Sequence, residues 1–316
     1  MGMLVDGMWR TGTAGAAGED GHFQRDESSF RRWITADGGC APNGQPVVIA
    51  APDRFRLYVS LACPWAHRTL IVRALKGLEA LVPVSIVNWH MGDHGWNFAP
   101  GPLVTPEPER GAEYLYELYQ HASPGMTGKV TVPVLWDRVE GKIVNNESAD
   151  IIRMFNDAFD LLGAQPGDFY PAALRGEIDR INERVYATLN NGVYQAGFAS
   201  TQEAYEEAVG PMFDTLAWLD GLLQENDWLV GGVMTEADIR LFTTLIRFDS
   251  VYYVHFKCNK RRIADHPGLH AFVSRMMALP EVAATVNLEH IKQHYYGSHL
   301  HINPSGIVPA GPDSPY

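Results

Sequence analysis

Strand signals are confined to one stretch of this chain and helical signals dominate another, and that division limits the fold more than any single motif. Phe55, Leu57 and Val59 alternate with Arg56, Tyr58 and Ser60, a period of two that predicts a half-buried strand. Cys63-Pro64 follows directly. Ala66, Leu70, Ile71, Ala74 and Leu75 then recur at helical spacing, with Gly77 the first breaker, so Cys63 is expected at the amino end of a helix with Pro64 in its first turn. The apolar, β-branched run at 81–88 completes a β-α-β unit. Residues 90–128 read as a long insertion with Pro100, Pro102, Pro106 and Pro108 and one short helix at 112–120. A strand at 129–136 interrupted by Pro133, a second at 142–144 and a helix start at Ser148 give β-β-α.

Beyond about residue 165 strand signals nearly vanish. Amphipathic runs at 175–190, 201–225, 236–248 and 268–277 take over, predicting an all-α region. One helix start is unusually clear: Thr235 and Asp238 form a capping box, with Met234 and Ile239 as the hydrophobic staple around it. The expected organisation is an ordered extension over 1–52, an α/β domain over 53–160, and a helical domain over 165–316 with an irregular tail from Tyr295.

Composition removes several function classes. A chain of 316 residues with 46% hydrophobic and 20% charged side chains is an ordinary globular protein. Its formal charge of -12 provides no footprint for a phosphate backbone, so nucleic acid is not expected as a partner. No apolar run approaches the roughly 18 residues a bilayer span requires, so no membrane role is expected. Cys40, Cys63 and Cys258 form no disulfide framework and no C-x-x-C pair, which fits a reducing, cytoplasmic setting. His90 and His94 flank Asp93 without the H-E-x-x-H base, and His255 with Cys258 lacks a second ligand pair; no metal is expected.

Cys63 is the residue with a physical reason to react. A thiol at a helix amino terminus meets unpaired N–H groups and the positive end of the helix dipole, and both favour the thiolate. At an unperturbed pKa near 8.5 about 3% is ionised at pH 7, against about 90% at a helix-terminal value near 6. A buried, inert cysteine is the plainer alternative. Thioredoxins carry a second cysteine three residues on, where this chain has Ala66, so a mixed disulfide at Cys63 needs an external thiol, for which glutathione is the candidate. If Val132-Pro133 is cis, the Val132 backbone faces outward and pairs with an extended thiol peptide like a rung of a sheet; a trans proline on an edge strand is the alternative. Ser148 as N-cap suits a γ-glutamyl carboxylate and Glu147 the ammonium, although simple capping accounts for the same pair.

The β-α-β, β-β-α order with Cys-Pro and Val-Pro at these places resembles the thioredoxin fold as glutathione transferases use it, followed by their helical domain. The blocks Cys63-Pro64-Trp65-Ala66-His67-Arg68, Val130-Thr131-Val132-Pro133-Val134-Leu135-Trp136-Asp137 and Asn146-Glu147-Ser148-Ala149 resemble the glutathionyl-hydroquinone reductases, the Xi class of glutathione transferases. Further blocks follow in the same order, among them Asn191-Gly192-Val193-Tyr194, Phe248-Asp249-Ser250-Val251-Tyr252 and Ile302-Asn303-Pro304-Ser305-Gly306. The resemblance implies that Cys63 attacks the sulfur of a glutathionylated aromatic hydroquinone, releases the hydroquinone, and is freed by a second glutathione. It also implies that Trp96, Val132, Glu147 and Ser148 hold glutathione, and that Lys129 stands where members often carry Arg. Tyr194, Tyr252 and Tyr295 match tyrosines that line the hydroquinone pocket; alone, three tyrosines among thirteen read as packing. Family members usually dimerise. An Omega-like thioltransferase or dehydroascorbate reductase, and a non-catalytic binding module of the same fold, are the alternatives.

Overall fold

The structure is a computed structural model that describes residues 2–12, 18 and 20–312. Residues 1, 13–17 and 19 of the expected extension and 313–316 of the expected tail lie outside the described residues. Two compact units divide the chain, Met1–Gly15 with Asp26–Gly167, and Ala16–Arg25 with Asp168–Tyr316. The expected extension is therefore shared between the two units.

The first unit contains β1 (Gly2–Val5) and β2 (Met8–Thr11), an antiparallel hairpin, and β3 (Trp33–Thr35) and β4 (Val47–Ile49), a parallel pair. These four short strands were invisible to a periodicity argument because three or four residues are too few to show one. Its centre is a four-stranded sheet made by β5 (Phe55–Val59), β6 (Val84–Ile86), β7 (Val134–Asp137) and β8 (Lys142–Asn145), in the order β6-β5-β7-β8. Strand β6 runs parallel to β5, while β7 and β8 are antiparallel to their neighbours. Between the strands lie α1 (Pro64–Leu75), α2 (Leu115–Ala122) and, after β8, α3 (Ser148–Asp157).

Strand β5 departs from the half-buried strand its alternation predicts. Phe55, Leu57, Tyr58 and Val59 are all fully buried. The second face is closed by the 90–128 insertion: Tyr58 donates to Glu107 Oε1 at 2.6 Å and Arg56 Nε to Glu109 Oε1 at 2.7 Å. Polar residues on a strand thus mark either solvent or a charged partner brought in by another segment.

The second unit is helical, with α4 (Arg175–Val185), α5 (Gly192–Phe198), α6 (Gln202–Glu225), α7 (Glu236–Arg247), α8 (Pro267–Met277), α9 (Pro280–Ala283) and α10 (Leu288–Ser298). The periodic pattern over-extended α4 and α7, whose ends pass into π-helical turns at Tyr186–Asn190 and Phe248–Tyr252. It missed α5, and the expected irregular tail from Tyr295 is a correction: Tyr295 is inside α10, and irregular chain begins after Ser298. Gly268 lies so close to α6 that a β-carbon there would meet Asp220 O at 2.3 Å, while Asp220 Oδ1 accepts from Gly268 N–H at 2.8 Å and caps α8. No helix among the described residues is long and apolar enough to cross a membrane.

The capping box of α7 forms as the sequence predicts. Asp238 Oδ2 accepts from Thr235 N–H at 2.8 Å, and its Oδ1 from Leu229 N–H at 2.9 Å, with both Thr235 and Asp238 fully buried. Removing that carboxylate leaves buried donors without an acceptor. Asp238→Ala is expected to lower the unfolding free energy by about 2–4 kcal/mol, measured by urea denaturation; an unchanged midpoint refutes this account of the α7 start.

Candidate active site

Cys63 is the N-cap of α1, in extended backbone with φ -76° and ψ 121°, and Pro64 opens the helix. The Cys63 carbonyl accepts from His67 N–H at 3.0 Å and closes the first turn of the helix, while its side chain makes no cap bond to the helix amides. Cys63 is half-buried, Cys40 is exposed, and Cys258 is buried. Burial pushes the Cys258 thiol far up, keeping it protonated and unreactive. His67, one turn beyond Cys63, is buried.

The Val132-Pro133 bond is cis. Cys63 Sγ lies 3.4 Å from Val132 O and donates to it while protonated. One side chain holds this segment in place. The buried hydroxyl of Tyr119 donates to Thr131 O at 2.9 Å and accepts from Asn146 Nδ2 at 3.3 Å. Tyr119 therefore fixes the residue before Val132 against the residue before Glu147. Burial raises its pKa, so the hydroxyl retains the proton it donates.

At the start of α3 the structure corrects the sequence reading. Glu147, not Ser148, is the N-cap: its backbone is extended, Ser148 is already the first helical residue, and Glu147 Oε1 accepts from Ala149 N–H at 3.0 Å. Glutamate reaches this role because its longer side chain folds back over the first turn. Ser148 is buried, with its Oγ 3.4 Å from Arg68 Nη1. Arg68 was not assigned a role from sequence, yet its guanidinium is buried and sits 4.5 Å from the Trp65 ring centroid. The available signal was a charged residue on the apolar face of α1. Lys129 Nζ lies 2.9 Å from Asp26 Oδ2. Trp96 is buried in the loop after β6, where its carbonyl accepts from Leu115 N–H at the start of α2.

In the second unit the three matched tyrosines meet. Tyr194 from α5, Tyr252 from the π-helical turn and Tyr295 from α10 bring their hydroxyls together, Tyr194 to Tyr295 at 2.5 Å and Tyr252 to Tyr295 at 3.2 Å. Burial holds Tyr252 and Tyr295 protonated, with pKa values well above the usual phenol range. Tyr296, adjacent in sequence, donates instead to Ser250 O at 3.1 Å, so the helix phase of α10 distinguishes the two. Arg25 lies 4.9 Å over the Tyr194 ring. Beside the cluster, His255 Nε2 and His299 Nδ1 are 3.3 Å apart and both side chains are buried. Among the described residues no group of three or more His, Cys, Asp or Glu is arranged to hold a metal.

Comparison with known proteins decides the family. The glutathione S-transferase N-terminal domain profile matches residues 62–158, and the C-terminal domain profile matches residues 202–275. The chain is 56% identical to glutathionyl-hydroquinone reductase PcpF of Sphingobium chlorophenolicum over 100% of this chain and 97% of that protein. The chain belongs to the Xi class of glutathione transferases, the family of the glutathionyl-hydroquinone reductases. Among relatives of this class, glutathionyl-hydroquinone reductase YqjG of Escherichia coli is 53% identical over 99% of this chain and 95% of its own. The glutathione-bound structure of YqjG superposes with a TM-score of 0.91 at 51% identity, covering 99% of this chain and 96% of that one. The Xi transferase structure from Phanerochaete chrysosporium gives 0.88 at 48% identity, over 95% of each chain. The thioredoxin-like domain followed by a helical domain is the architecture of this Xi transferase.

Two consequences follow from the geometry. Tyr119→Phe leaves the Thr131 and Asn146 polar groups short of a partner and is expected to cost about 1–3 kcal/mol of unfolding free energy, read by thermal and urea denaturation; a variant as stable as the parent refutes the linking role. Burial, reinforced by His301, Lys257 and His294, lowers the His255 pKa to about 4 from 6.5. The folded protein therefore binds this proton less readily than the unfolded chain, so the contribution of His255 is complete above about pH 6.5 and is lost as pH falls toward 4. The parent urea midpoint is expected to drop across that window more steeply than that of His255→Phe, and parallel profiles refute it.

Proposed function

We propose that this chain reduces glutathionylated aromatic hydroquinones to hydroquinones, with Cys63 as the nucleophile and glutathione as the reductant. The observation that carries the reading is Cys63 at the N-cap of α1 with Ala66, not a second cysteine, three residues on. Full-length similarity to proteins named glutathionyl-hydroquinone reductases supports it.

In the first step the Cys63 thiolate attacks the glutathione sulfur of the conjugate. The new S–S bond forms as the sulfur–carbon bond to the ring breaks, and the electron pair of that bond stays on the ring carbon, which takes up a proton to give the hydroquinone. In the second step a glutathione thiolate attacks the glutathione sulfur of the mixed disulfide, releasing glutathione disulfide and the Cys63 thiolate. The two-electron reduction of the ring carbon is thus balanced by oxidation of two glutathione sulfurs to one disulfide.

For binding, the outward backbone of Val132 pairs with the cysteinyl residue of glutathione, Glu147 takes the γ-glutamyl ammonium, and the α3 start with Ser148 takes the γ-glutamyl carboxylate. Lys129 faces the remaining carboxylate as a point charge without the fork of an arginine, and Trp96 supplies apolar cover. Tyr194, Tyr252 and Tyr295 are the hydroxyls proposed to bond the ring oxygens and stabilise charge that builds up on the ring as the carbon–sulfur bond breaks. The proposal includes a cytoplasmic homodimer without a metal: three cysteines outside any disulfide fit a reducing compartment, and light scattering tests the assembly.

Mass spectrometry of the protein after mixing with a glutathionyl-hydroquinone is expected to show Cys63 carrying one glutathione, with free hydroquinone released in the same step. Added glutathione is expected to clear the adduct. Cys63→Ser is expected to lose turnover by at least about a thousandfold. A small glutathione mixed disulfide turned over faster than the conjugate would move the assignment to a general thioltransferase.

A further inference from the structure

Residues 26–31 cross the surface of the first unit as a strap over the start of α3. The strap is fixed at several points. Phe30 N–H donates to Asn146 Oδ1 at 3.0 Å, and Asn146 N–H donates back to Phe30 O at 3.1 Å. The Phe30 ring meets the edge of Tyr119 at 5.6 Å between centroids. Arg31 grips Asp150 with two guanidinium nitrogens, Nη2 at 3.0 Å from Oδ1 and Nε on Oδ2. Within this frame Ser28 Oγ is 2.9 Å from Glu147 Oε2, closer than its 3.4 Å approach to Asn146 O.

Glu147 has two oxygens with different duties. Oε1 is committed to the helix, accepting from Ala149 N–H at 3.0 Å, with Ser148 Oγ at 3.5 Å. Oε2 accepts from the Ser28 hydroxyl. A terminal carboxylate turns easily about its last torsion, so a single bond from the helix leaves the second oxygen free to swing. A hydroxyl anchored in a separate, pinned segment stops that rotation, and a hydroxyl-to-carboxylate bond is of the stronger, charge-assisted kind. At the other end of the strap Asp26 holds Lys129 Nζ at 2.9 Å. One short segment therefore touches both charged side chains proposed to meet glutathione.

We propose that Ser28 is a positioning residue for glutathione recognition: its hydroxyl sets the Glu147 carboxylate in the orientation that receives the γ-glutamyl ammonium. The inference rests on the assignment of Glu147 to that ammonium. Specificity for the tripeptide amine is in this view shared between α3 and a segment 119 residues earlier in the chain.

The test compares glutathione with its desamino analogue, in which a γ-glutaryl group replaces γ-glutamyl and the ammonium is absent. Titration calorimetry on the full chain gives the preference for glutathione over the analogue. Glu147→Gln is expected to reduce that preference about tenfold. Ser28→Ala is expected to reduce it about threefold, chiefly by weakening glutathione binding, and Ser28→Thr to restore it. In the Ser28→Ala/Glu147→Gln double variant, loss of Ser28 is expected to add nothing. If Glu147→Gln keeps the full preference, the assignment of Glu147 fails and the role of Ser28 falls with it. If Glu147→Gln loses the preference but Ser28→Ala binds both ligands as the parent does, or weakens both equally, Ser28 is structural and this inference alone is overturned.

Discussion

The first unit depends on a buried phenol. Tyr119, from a helix in the insertion, donates to Thr131 O and accepts from Asn146 Nδ2, and so locks the approach to β7 against the turn that starts α3. Val132 and Glu147 each follow directly after one of those two partners. That tie adds to the direct contact between Asn146 Nδ2 and Thr131 Oγ1 at 3.4 Å and to the pairing of β7 with β8 at Leu135 and Asn145. A hydrogen bond made away from water is worth keeping chiefly because leaving its partners unpaired is costly, and the one Tyr119 oxygen meets Thr131 O, Asn146 Nδ2 and, at 3.3 Å, Thr131 N–H.

On that frame the site works by opposing tendencies at Cys63. The proposal has the amino end of α1 favour the thiolate, whereas the Val132 carbonyl at 3.4 Å receives the proton of the neutral thiol. An extended peptide pairing with the Val132 backbone competes for the carbonyl that the thiol uses. In the proposed mechanism, substrate binding and thiol activation draw on the same two groups, Cys63 Sγ and the Val132 carbonyl. Ala66 completes the logic by leaving no neighbour to resolve the mixed disulfide.

Long elements with a sustained period were legible from sequence. Helices α1, α6 and α8 and the Thr235 cap of α7 lie where the apolar spacing places them, because each presents one face to a core over several turns. Short pieces without a longer apolar run around them were not: β1 to β4 have three or four residues each and α5 seven, whereas β6, equally short, lies inside the apolar run at 81–88. The π-helical turns were beyond reach because their widened hydrogen bonding leaves no compositional mark. At the site, Cys63, Val132 and Glu147 stand on local motifs that announce themselves. The N-cap assignment was off by one residue because serine and glutamate both cap, and only backbone angles separate them. Arg68 and Ser28 had no legible role, since each acquires its partner from a distant part of the chain.

What the sequence determined alone is whatever is decided between near neighbours: a helix after Cys63-Pro64, a capping box at Thr235, a missing second cysteine, and hence the kind of thiol chemistry open to the chain. Tertiary structure decided which of two adjacent tyrosines, Tyr295 or Tyr296, joins the hydroxyl cluster, which residue caps α3, and which remote segment touches Glu147. The physical reason is that propensity and spacing act over a turn or two of chain. Hydrogen bonds between buried groups form only after closure has brought remote residues within about 3 Å, and their geometry is not written in any local pattern.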